Sequence, residues 1–184
     1  MPTVVAFTGL PGTGKSTLAD LLARAIGAPS IAGDWLLGAL APHGVLNGLD
    51  RPAYLALYHD LIERLVLRQL MLGQSAVVDG LVTDAVVARW QQLAERFGAR
   101  LFVVECVCSD EALHRRRVEG RERKIPGWHE IGWDHVERMR AELPPLTSRN
   151  LVVDAVHPVK GNLSAVIERA GCANAVRLLR AGSA

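Results

Sequence analysis

A glycine-rich stretch near the start of the chain has the residue types and spacing that bind phosphate. Residues 9–17 read GLPGTGKST and fit the phosphate-loop pattern G-x-x-x-x-G-K-[ST]. Glycines let the backbone curl so that its N–H groups converge on phosphate oxygens. Lys15 can reach the β- and γ-phosphates of a nucleoside triphosphate, and the Ser16 hydroxyl can bind Mg²⁺. We therefore expect a triphosphate site formed by Gly12, Thr13, Gly14, Lys15, Ser16 and Thr17.

The sequence on either side of this stretch predicts a strand before it and a helix after it. Residues 4–7 are all apolar, as in a buried parallel strand, and apolar residues recur at helical spacing over residues 18–26. In that order, the positive end of the helix adds to the field that attracts a phosphate. An ordinary strand-to-helix turn is the alternative, and the complete pattern in this context disfavours it.

Two carboxylates stand where predicted strands end. Asp34 follows a short strand, where it is a candidate base for a hydroxyl that attacks a γ-phosphoryl group. The alternative for Asp34 is an N-cap of the next helix. Asp79 ends another apolar strand and is a candidate for Mg²⁺ or substrate binding, with a plain Asp-Gly turn as its alternative. Because ligands bind beyond the carboxyl ends of parallel strands, both should lie near the phosphate loop.

Basic residues are concentrated in the second half of the chain. Six of its 21 Lys and Arg residues are Arg115, Arg116, Arg117, Arg121, Arg123 and Lys124. Guanidinium groups can neutralise the charge that gathers in phosphoryl transfer, so residues 115–130 predict a lid segment. We expect Arg117 and Arg121 to act in catalysis, and both of them, with Arg123, to bind ATP. A solvated helix face and a nucleic-acid patch are the alternatives.

Aromatic residues make up only 5% of the chain, yet two Trp and two His occur within eight residues after the basic stretch. Trp128 and His129 of this group, together with Trp35 beside Asp34, are candidate substrate-binding residues. Packing of the lid segment is the equally weighted alternative for the Trp128 group. A metal site there is disfavoured, because the His spacing matches no strong metal pattern.

Length and composition are typical of one globular domain over residues 1–184, with 49% apolar residues and a net charge of +2. The three cysteines are an odd number, which indicates a reducing compartment rather than a disulfide framework. Cys106 and Cys108 should face the same way on one strand, where core packing is favoured over a metal pair. With no visible signal peptide and no apolar span free of charges, a cytoplasmic protein is expected.

Short apolar runs alternate with helical patterns, which predicts an α/β protein with a parallel sheet covered on both faces. The predicted strands are 3–8, 29–32, 76–79, 100–107 and 150–154. The predicted helices are 15–26, 35–40, 52–72, 85–97, 110–119, 134–142 and 162–170. Asp110 is expected to cap the fifth of these helices at its N-terminus. The tail after Gly171 is expected to add a short helix or to fray.

With these motifs in hand, the chain resembles the small P-loop kinases of the AAA-type predicted-kinase group, related to polynucleotide 5′-kinase, zeta toxins and chloramphenicol phosphotransferase. The resemblance rests on residues 9–17, Asp34, residues 77–79, the lid arginines and residues 151–154. It implies a P-loop NTPase fold, a three-layer α/β/α sandwich whose five-stranded parallel sheet has the order 2-3-1-4-5. It also implies ATP with Mg²⁺, phosphoryl transfer to a hydroxyl, Asp34 as the base, and adenine near Val156 and His157.

The chain departs from these relatives directly after Asp34. Many of them carry an arginine there that grips a phosphate of the acceptor, whereas residues 35–40 contain none. We therefore expect an ATP-dependent kinase with a small hydroxylated acceptor that is neutral or partly apolar. The alternatives are a polynucleotide or nucleoside 5′-hydroxyl kinase and a non-catalytic ATP-sensing module. A GTPase is disfavoured because no Asn-Lys-x-Asp motif is present, and a transporter ATPase because Gly80 stands where its second carboxylate would be.

Overall fold

The computed structural model describes residues 1–172, and the tail predicted beyond them lies outside the described residues. Its strands are β1 Thr3–Thr8, β2 Ser30–Ala32, β3 Ala76–Asp79, β4 Arg100–Val107 and β5 Leu151–Asp154. Its helices are α1 Lys15–Ile26, α2 Gly33–Leu40, α3 Arg51–Met71, α4 Asp84–Arg96, α5 Glu111–Glu119, α6 Trp133–Glu142 and α7 Val159–Arg169. A short 3₁₀ helix, Ala41–His43, follows α2. Within residues 1–172, no helix has both the length and the apolar character needed to cross a bilayer.

The strands form one parallel sheet in the order β2-β3-β1-β4-β5, which confirms the predicted fold and strand order. The register of the strands determines which residues are neighbours at the carboxyl edge of the sheet. Phe7 of β1 pairs with Asp79 of β3, and Asp79 pairs with Ala32 of β2. Asp79 therefore stands beside the start of the phosphate loop, and Asp34 follows two residues after Ala32, as expected for a parallel sheet.

Side chains alternate between the two faces of β1 and enter two separate cores. Val4 and Ala6 pack under α3 and α4, in a cluster with Ile62 and Trp90. Val5 and Phe7 pack on the other face, under α1 and α7, in a cluster that includes Leu22 and Val166. Burial of both faces explains why the strands are continuous apolar runs rather than alternating ones.

The observed elements differ from the predicted ones by a few residues at their ends. The largest difference is at α7, which begins at Val159 directly after Pro158 rather than at residue 162. At α2 the helix begins at Gly33, so Asp34 is inside its first turn and the N-cap position belongs to Ala32. The N-cap alternative for Asp34 is therefore wrong, whereas Asp110 caps α5 as predicted by accepting a hydrogen bond from the Leu113 N–H.

A buried histidine connects α5 to the phosphate loop. His114 is 1% exposed, its Nε2 lies 2.7 Å from the Pro11 carbonyl oxygen, and its ring packs edge-on against Trp133 of α6. Gly12 follows with φ +89°, and a Cβ there would lie 2.5 Å from Val118 Cγ2. The phosphate loop therefore packs closely against α5, and only glycine fits at position 12, where the two are in contact.

The lid segment also packs closely against α2, with the two backbones in contact at glycines. A Cβ at Gly127 would lie 2.2 Å from the Gly38 carbonyl oxygen, and one at Gly38 would lie 2.5 Å from the Pro126 carbonyl oxygen. The buried side chain of Ile125 covers the same contact. Residues 125–127 therefore lie directly on the helix that carries Asp34.

Replacing His114 with Ala should lower the free energy of unfolding by about 1–3 kcal/mol, because the buried Pro11 carbonyl loses its hydrogen-bond partner. Urea denaturation at pH 7.5 measures the difference. His43→Ala is the matched control, because His43 is exposed and its loss should change stability by no more than about 0.5 kcal/mol.

A pH series adds a second readout for the same variant. Burial lowers the pKa of His114, and the nearby Arg140 and Arg121 lower it further. Protonation of His114 is therefore less favourable in the folded state, so its neutral form stabilises the fold above pH ~6.5 and this contribution is lost as the pH falls. The wild type should lose more stability than His114→Ala between pH 7.5 and pH 5.5, and equal losses would contradict the assignment.

Candidate active site

The phosphate loop lines a cavity of about 300 Å³, here called the phosphate-loop cavity. All the predicted triphosphate-binding residues of the loop line it, namely Gly12, Thr13, Gly14, Lys15, Ser16 and Thr17. The loop after β5 closes one side through Ala155 and His157. Of the two residues expected near adenine, His157 thus lines this cavity, whereas the neighbouring Val156 is 40% exposed and does not line it.

Arg117 and Arg121 from the lid segment line the same cavity. The Nε and Nη2 atoms of Arg121 are buried and have no hydrogen-bond partner among residues 1–172. Burial lowers the pKa of Arg121, and the neighbouring Arg123 guanidinium lowers it further. Unpaired buried N–H donors are costly, and an anion bound between Arg121 and the loop would satisfy them.

Arg123, the third arginine predicted to bind ATP, does not line the phosphate-loop cavity. Its guanidinium donates to Asp34 Oδ2 and forms an ion pair with that carboxylate. The Arg123 side chain is only 13% exposed. Backbone N–H groups of Arg123 and Lys124 both donate to the Glu130 carboxylate, which fixes the turn and directs the guanidinium toward α2.

Asp79 has the environment expected of a residue that meets a cation. Burial raises the pKa of Asp79, and the neighbouring Lys15 ammonium and Ser16 hydroxyl lower it in opposition. Its Oδ1 is buried and has no hydrogen-bond partner within the described part of the chain. Mg²⁺ binds oxygen ligands, and in phosphate sites it commonly takes a carboxylate and a hydroxyl together with phosphate oxygens. Ser16 and Asp79 supply such a hydroxyl and carboxylate, so they fit this ion.

A second cavity, of about 400 Å³, lies on the other side of Lys15 and is called here the interhelix cavity. Lys15, Asp34 and Asp79, which lie near the carboxyl edge of the sheet, line it. Its walls are two helices, α3 and α6, and its roof is the end of the lid segment. The α3 wall is Arg51, Tyr54, Leu55 and Tyr58, and the α6 wall is His135, Arg138, Met139 and Glu142.

The predicted substrate-binding residues are divided between this cavity and the surface. Asp34, Asp79, Trp128 and His129 all line the interhelix cavity, and the Trp128 and His129 rings lie 4.6 Å apart. Trp35 does not line it and is 56% exposed, so its predicted role is not supported by its position. The physical reason is helical geometry, because one residue beyond Asp34 points about 100° away around α2.

Several cavity residues escaped prediction from the sequence. Each wall uses the spacing i, i+3, i+4, i+7, which places four side chains on one helix face. That spacing was visible in the sequence, but a stripe of mixed polar and apolar residues is also typical of an ordinary surface helix. Tyr58 is fixed at the base of its wall, where its hydroxyl accepts a hydrogen bond from the Leu81 N–H at 3.0 Å.

The cysteines take no part in either cavity. Cys106 is 1% exposed and packs in the core under α1 and α7, which confirms the core-packing interpretation for it. Burial raises the pKa of its thiol to about 12. Cys108 is only half-buried, two residues further along the chain. Among the described residues, no group of three or more His, Cys, Asp or Glu side chains is placed to hold a metal ion.

Solved structures with the same fold include three kinases. A sugar kinase from Janibacter sp. HTCC2649 has a TM-score of 0.68 and 17% identity, covering 96% of this chain and 98% of that one. A gluconokinase from Sinorhizobium meliloti 1021 has a TM-score of 0.63 and 20% identity, covering 96% and 93%. The APS kinase of Mycobacterium tuberculosis, in complex with AMPPNP and APS, has a TM-score of 0.62 and 19% identity, covering 91% and 96%.

Sequence comparison identifies the family directly. No curated protein matches the chain significantly. The family described as AAA domain matches residues 4–146, a span that begins in β1 and runs through the phosphate loop, both carboxylates and the lid segment. The chain therefore belongs to the AAA domain family, in agreement with the resemblance carried by residues 9–17.

Proposed function

We propose that the protein is an ATP-dependent phosphotransferase that moves the γ-phosphoryl group of ATP to a hydroxyl of a small molecule. One observation carries the proposal: Lys15 lines both cavities. On one side of it lie the loop and the lid arginines, which suit a triphosphate. On the other side lie two carboxylates that line the interhelix cavity, which suits an acceptor. The kinases with the same fold support this assignment. The interhelix cavity has a volume of about 400 Å³, which suits a small molecule as acceptor.

The proposed transfer uses residues of this chain in defined roles. The loop N–H groups and Lys15 hold the β- and γ-phosphates. Arg123 occupies Asp34 Oδ2, which leaves Oδ1 to accept the proton of the acceptor hydroxyl. The acceptor oxygen forms a bond to the γ-phosphorus as the bond from that phosphorus to the β-phosphate oxygen breaks, and ADP leaves. Arg117 and Arg121 neutralise the charge that spreads over the moving oxygens.

Mg²⁺ fits beside the same phosphates. Ser16 and Asp79 would hold it, and it would supply positive charge at the β- and γ-oxygens when bound. Asp79 also lines the interhelix cavity, so the proposed Mg²⁺ ligand lies close to the acceptor side. The whole chain is proposed to act as one kinase domain, with residues 115–130 as its lid.

A screen for ATP-dependent product formation tests the proposal. Candidate acceptors are sugars, sugar acids, nucleosides, aminoglycosides and oligonucleotides, and ³¹P NMR distinguishes a new phosphoester from inorganic phosphate. Phosphorylation of a small molecule, lost in Lys15→Ala, is the expected result. Phosphorylation of oligonucleotide ends alone would show that the acceptor is a polynucleotide and not a small molecule. ATP binding with no transfer to any acceptor would support an ATP-sensing module and overturn the proposal.

Asp34→Asn should lower kcat by about 10²–10⁴-fold, because the amide cannot accept the proton of the attacking hydroxyl. The affinity for ATP should change little, since Asp34 does not line the phosphate-loop cavity. Steady-state kinetics and nucleotide titration measure the two effects. Asp60→Asn, at an exposed ion pair with Arg89, is the matched control and should retain wild-type turnover. Full activity in Asp34→Asn would remove the proposed base.

Arg121→Gln should slow transfer by about 10²-fold or more, because charge on the moving phosphoryl oxygens loses a fixed guanidinium. Arg116→Gln is the control from the same stretch, since Arg116 is exposed and lies outside the phosphate-loop cavity. Single-turnover kinetics with saturating ATP measure the transfer step directly. Equal rates in the two variants would show that Arg121 is only a structural residue of the lid segment.

A further inference from the structure

The α6 wall of the interhelix cavity carries a group of basic side chains that the proposed mechanism does not use. His135 and Arg138 occupy the first two positions of the stripe that α6 directs into the cavity, and His129 lies in the roof beside them. The opposite face of α6 is buried through Trp133 and Val136, which fixes the rotation of the helix. Basic groups are therefore held toward the cavity by packing on the other side.

Charge pairing leaves Arg138 as the free cation of this wall. Arg51 of the α3 wall and Glu142 of the α6 wall form an ion pair, and Arg123 is paired with Asp34. Within residues 1–172, Arg138 takes part in no ion pair, although the residue lines the cavity. Arg138 is exposed to solvent and lines the cavity, so its guanidinium is accessible to a planar or tetrahedral anion, which it can bind in bidentate fashion.

The pKa of His135 is consistent with a binding site for an anion at this wall. Burial lowers the pKa of His135, and the charges of Arg138 and His129 lower it further. The opposing influence of Glu142 and Asp34 is smaller. At neutral pH His135 is therefore uncharged and can donate one ring N–H to a bound anion, while Arg138 supplies the positive charge.

We infer that Arg138, with His135 and His129, forms a subsite for an anionic group on the acceptor, so that the acceptor is a hydroxylated carboxylate or phosphate ester rather than a neutral molecule. The inference rests on the proposed function, because it concerns the acceptor side of the same site. It replaces the neutral acceptor expected from the absence of arginine in residues 35–40, since α6 supplies the arginine that α2 lacks.

The remaining walls define the body of such an acceptor. Leu37, Tyr54, Leu55 and Leu81 supply apolar and aromatic surface between the carboxylates and the basic wall. Successive α6 residues rise by about 1.5 Å each, so His135 and Arg138 are separated by roughly 4.5 Å along the helix axis. The hydroxyl would lie at Asp34 and the anion toward Arg138, with a short apolar stretch between them.

Binding of matched small molecules tests the subsite without relying on turnover. The probes are glycerate, glycerol phosphate and glycerol, and a second set with an apolar body, mandelate and phenylethanediol. Calorimetric titration is carried out on the full chain saturated with AMPPNP and Mg²⁺. The anionic member of each set should bind at least about 10-fold more tightly than the neutral one, because a hydrogen bond between charged partners is stronger than one between neutral groups. The carboxylate and phosphate arms identify which anion is preferred.

Variants of two arginines of α6 distinguish a specific anion subsite from a general effect of positive charge. Arg138→Gln should abolish the preference for anions and leave AMPPNP binding unchanged, and Arg138→Lys should restore part of it. Arg140→Gln is the matched control, because Arg140 points away from this cavity and contacts Glu111 and Trp133. It should retain the preference. Equal binding of anionic and neutral probes by the wild type, or a preference that survives in Arg138→Gln, would overturn the inference.

The same probes keep this inference distinct from the proposed function. Tight binding of an anionic probe through Arg138 with no phosphoryl transfer to any acceptor would support the subsite and contradict the kinase proposal. Transfer of phosphate to neutral acceptors only, unaffected by Arg138→Gln, would support the kinase and contradict the subsite.

Discussion

The pairing of β1 with β3 is the constraint on which the rest of the site depends. Phe7 lies opposite Asp79, so the last residue of β3 stands beside the first residues of the phosphate loop. Because side chains alternate along a strand, a slip of one residue would exchange the faces of β3 and remove Asp79 from the loop. The two cores under and over the sheet hold the register, since Val5 and Phe7 enter one of them and Val4 and Ala6 the other.

The lid segment depends in turn on contacts with elements on both sides of Lys15. His114 and Val118 seat α5 against the phosphate loop, and Arg123 pairs with Asp34 on α2. A largely buried ion pair stabilises little in total, because desolvation offsets most of its attraction, but removing one partner leaves a charge uncompensated. The Arg123–Asp34 pair therefore determines geometry more than stability. It joins the lid segment to α2, the helix that carries the proposed base.

Much of the fold could be predicted from the sequence because its signals are local. The apolar strands, the complete phosphate-loop pattern and the Asp110 cap each depend on neighbouring residues, and they locate β1, α1 and α5 nearly to the residue. The carboxylates Asp34 and Asp79 were also predicted, since the ends of parallel strands meet at one edge. The partner of Arg123 could not be predicted in this way, because it depends on a turn whose backbone is fixed by Glu130.

The residues that form the walls of the interhelix cavity could not be predicted from the sequence. Arg138 and Arg140 are close in the sequence and alike in chemistry, yet only the packing of Trp133 and Val136 directs the first toward the cavity. Trp35 shows the opposite case, since it is next to Asp34 in the sequence but is exposed and does not line the cavity. Tertiary packing decided the first case, and a single sequence carries little information about it, whereas the second follows from the helical geometry of α2.

The central claim is that phosphate passes directly from ATP to the acceptor across Lys15, without a covalent intermediate on the protein. It is tested most directly by the stereochemistry of transfer from ATP made chiral at the γ-phosphorus with oxygen isotopes. A single in-line displacement predicts inversion of configuration at phosphorus in the product. Retention of configuration would require a phosphorylated protein intermediate and would contradict the account.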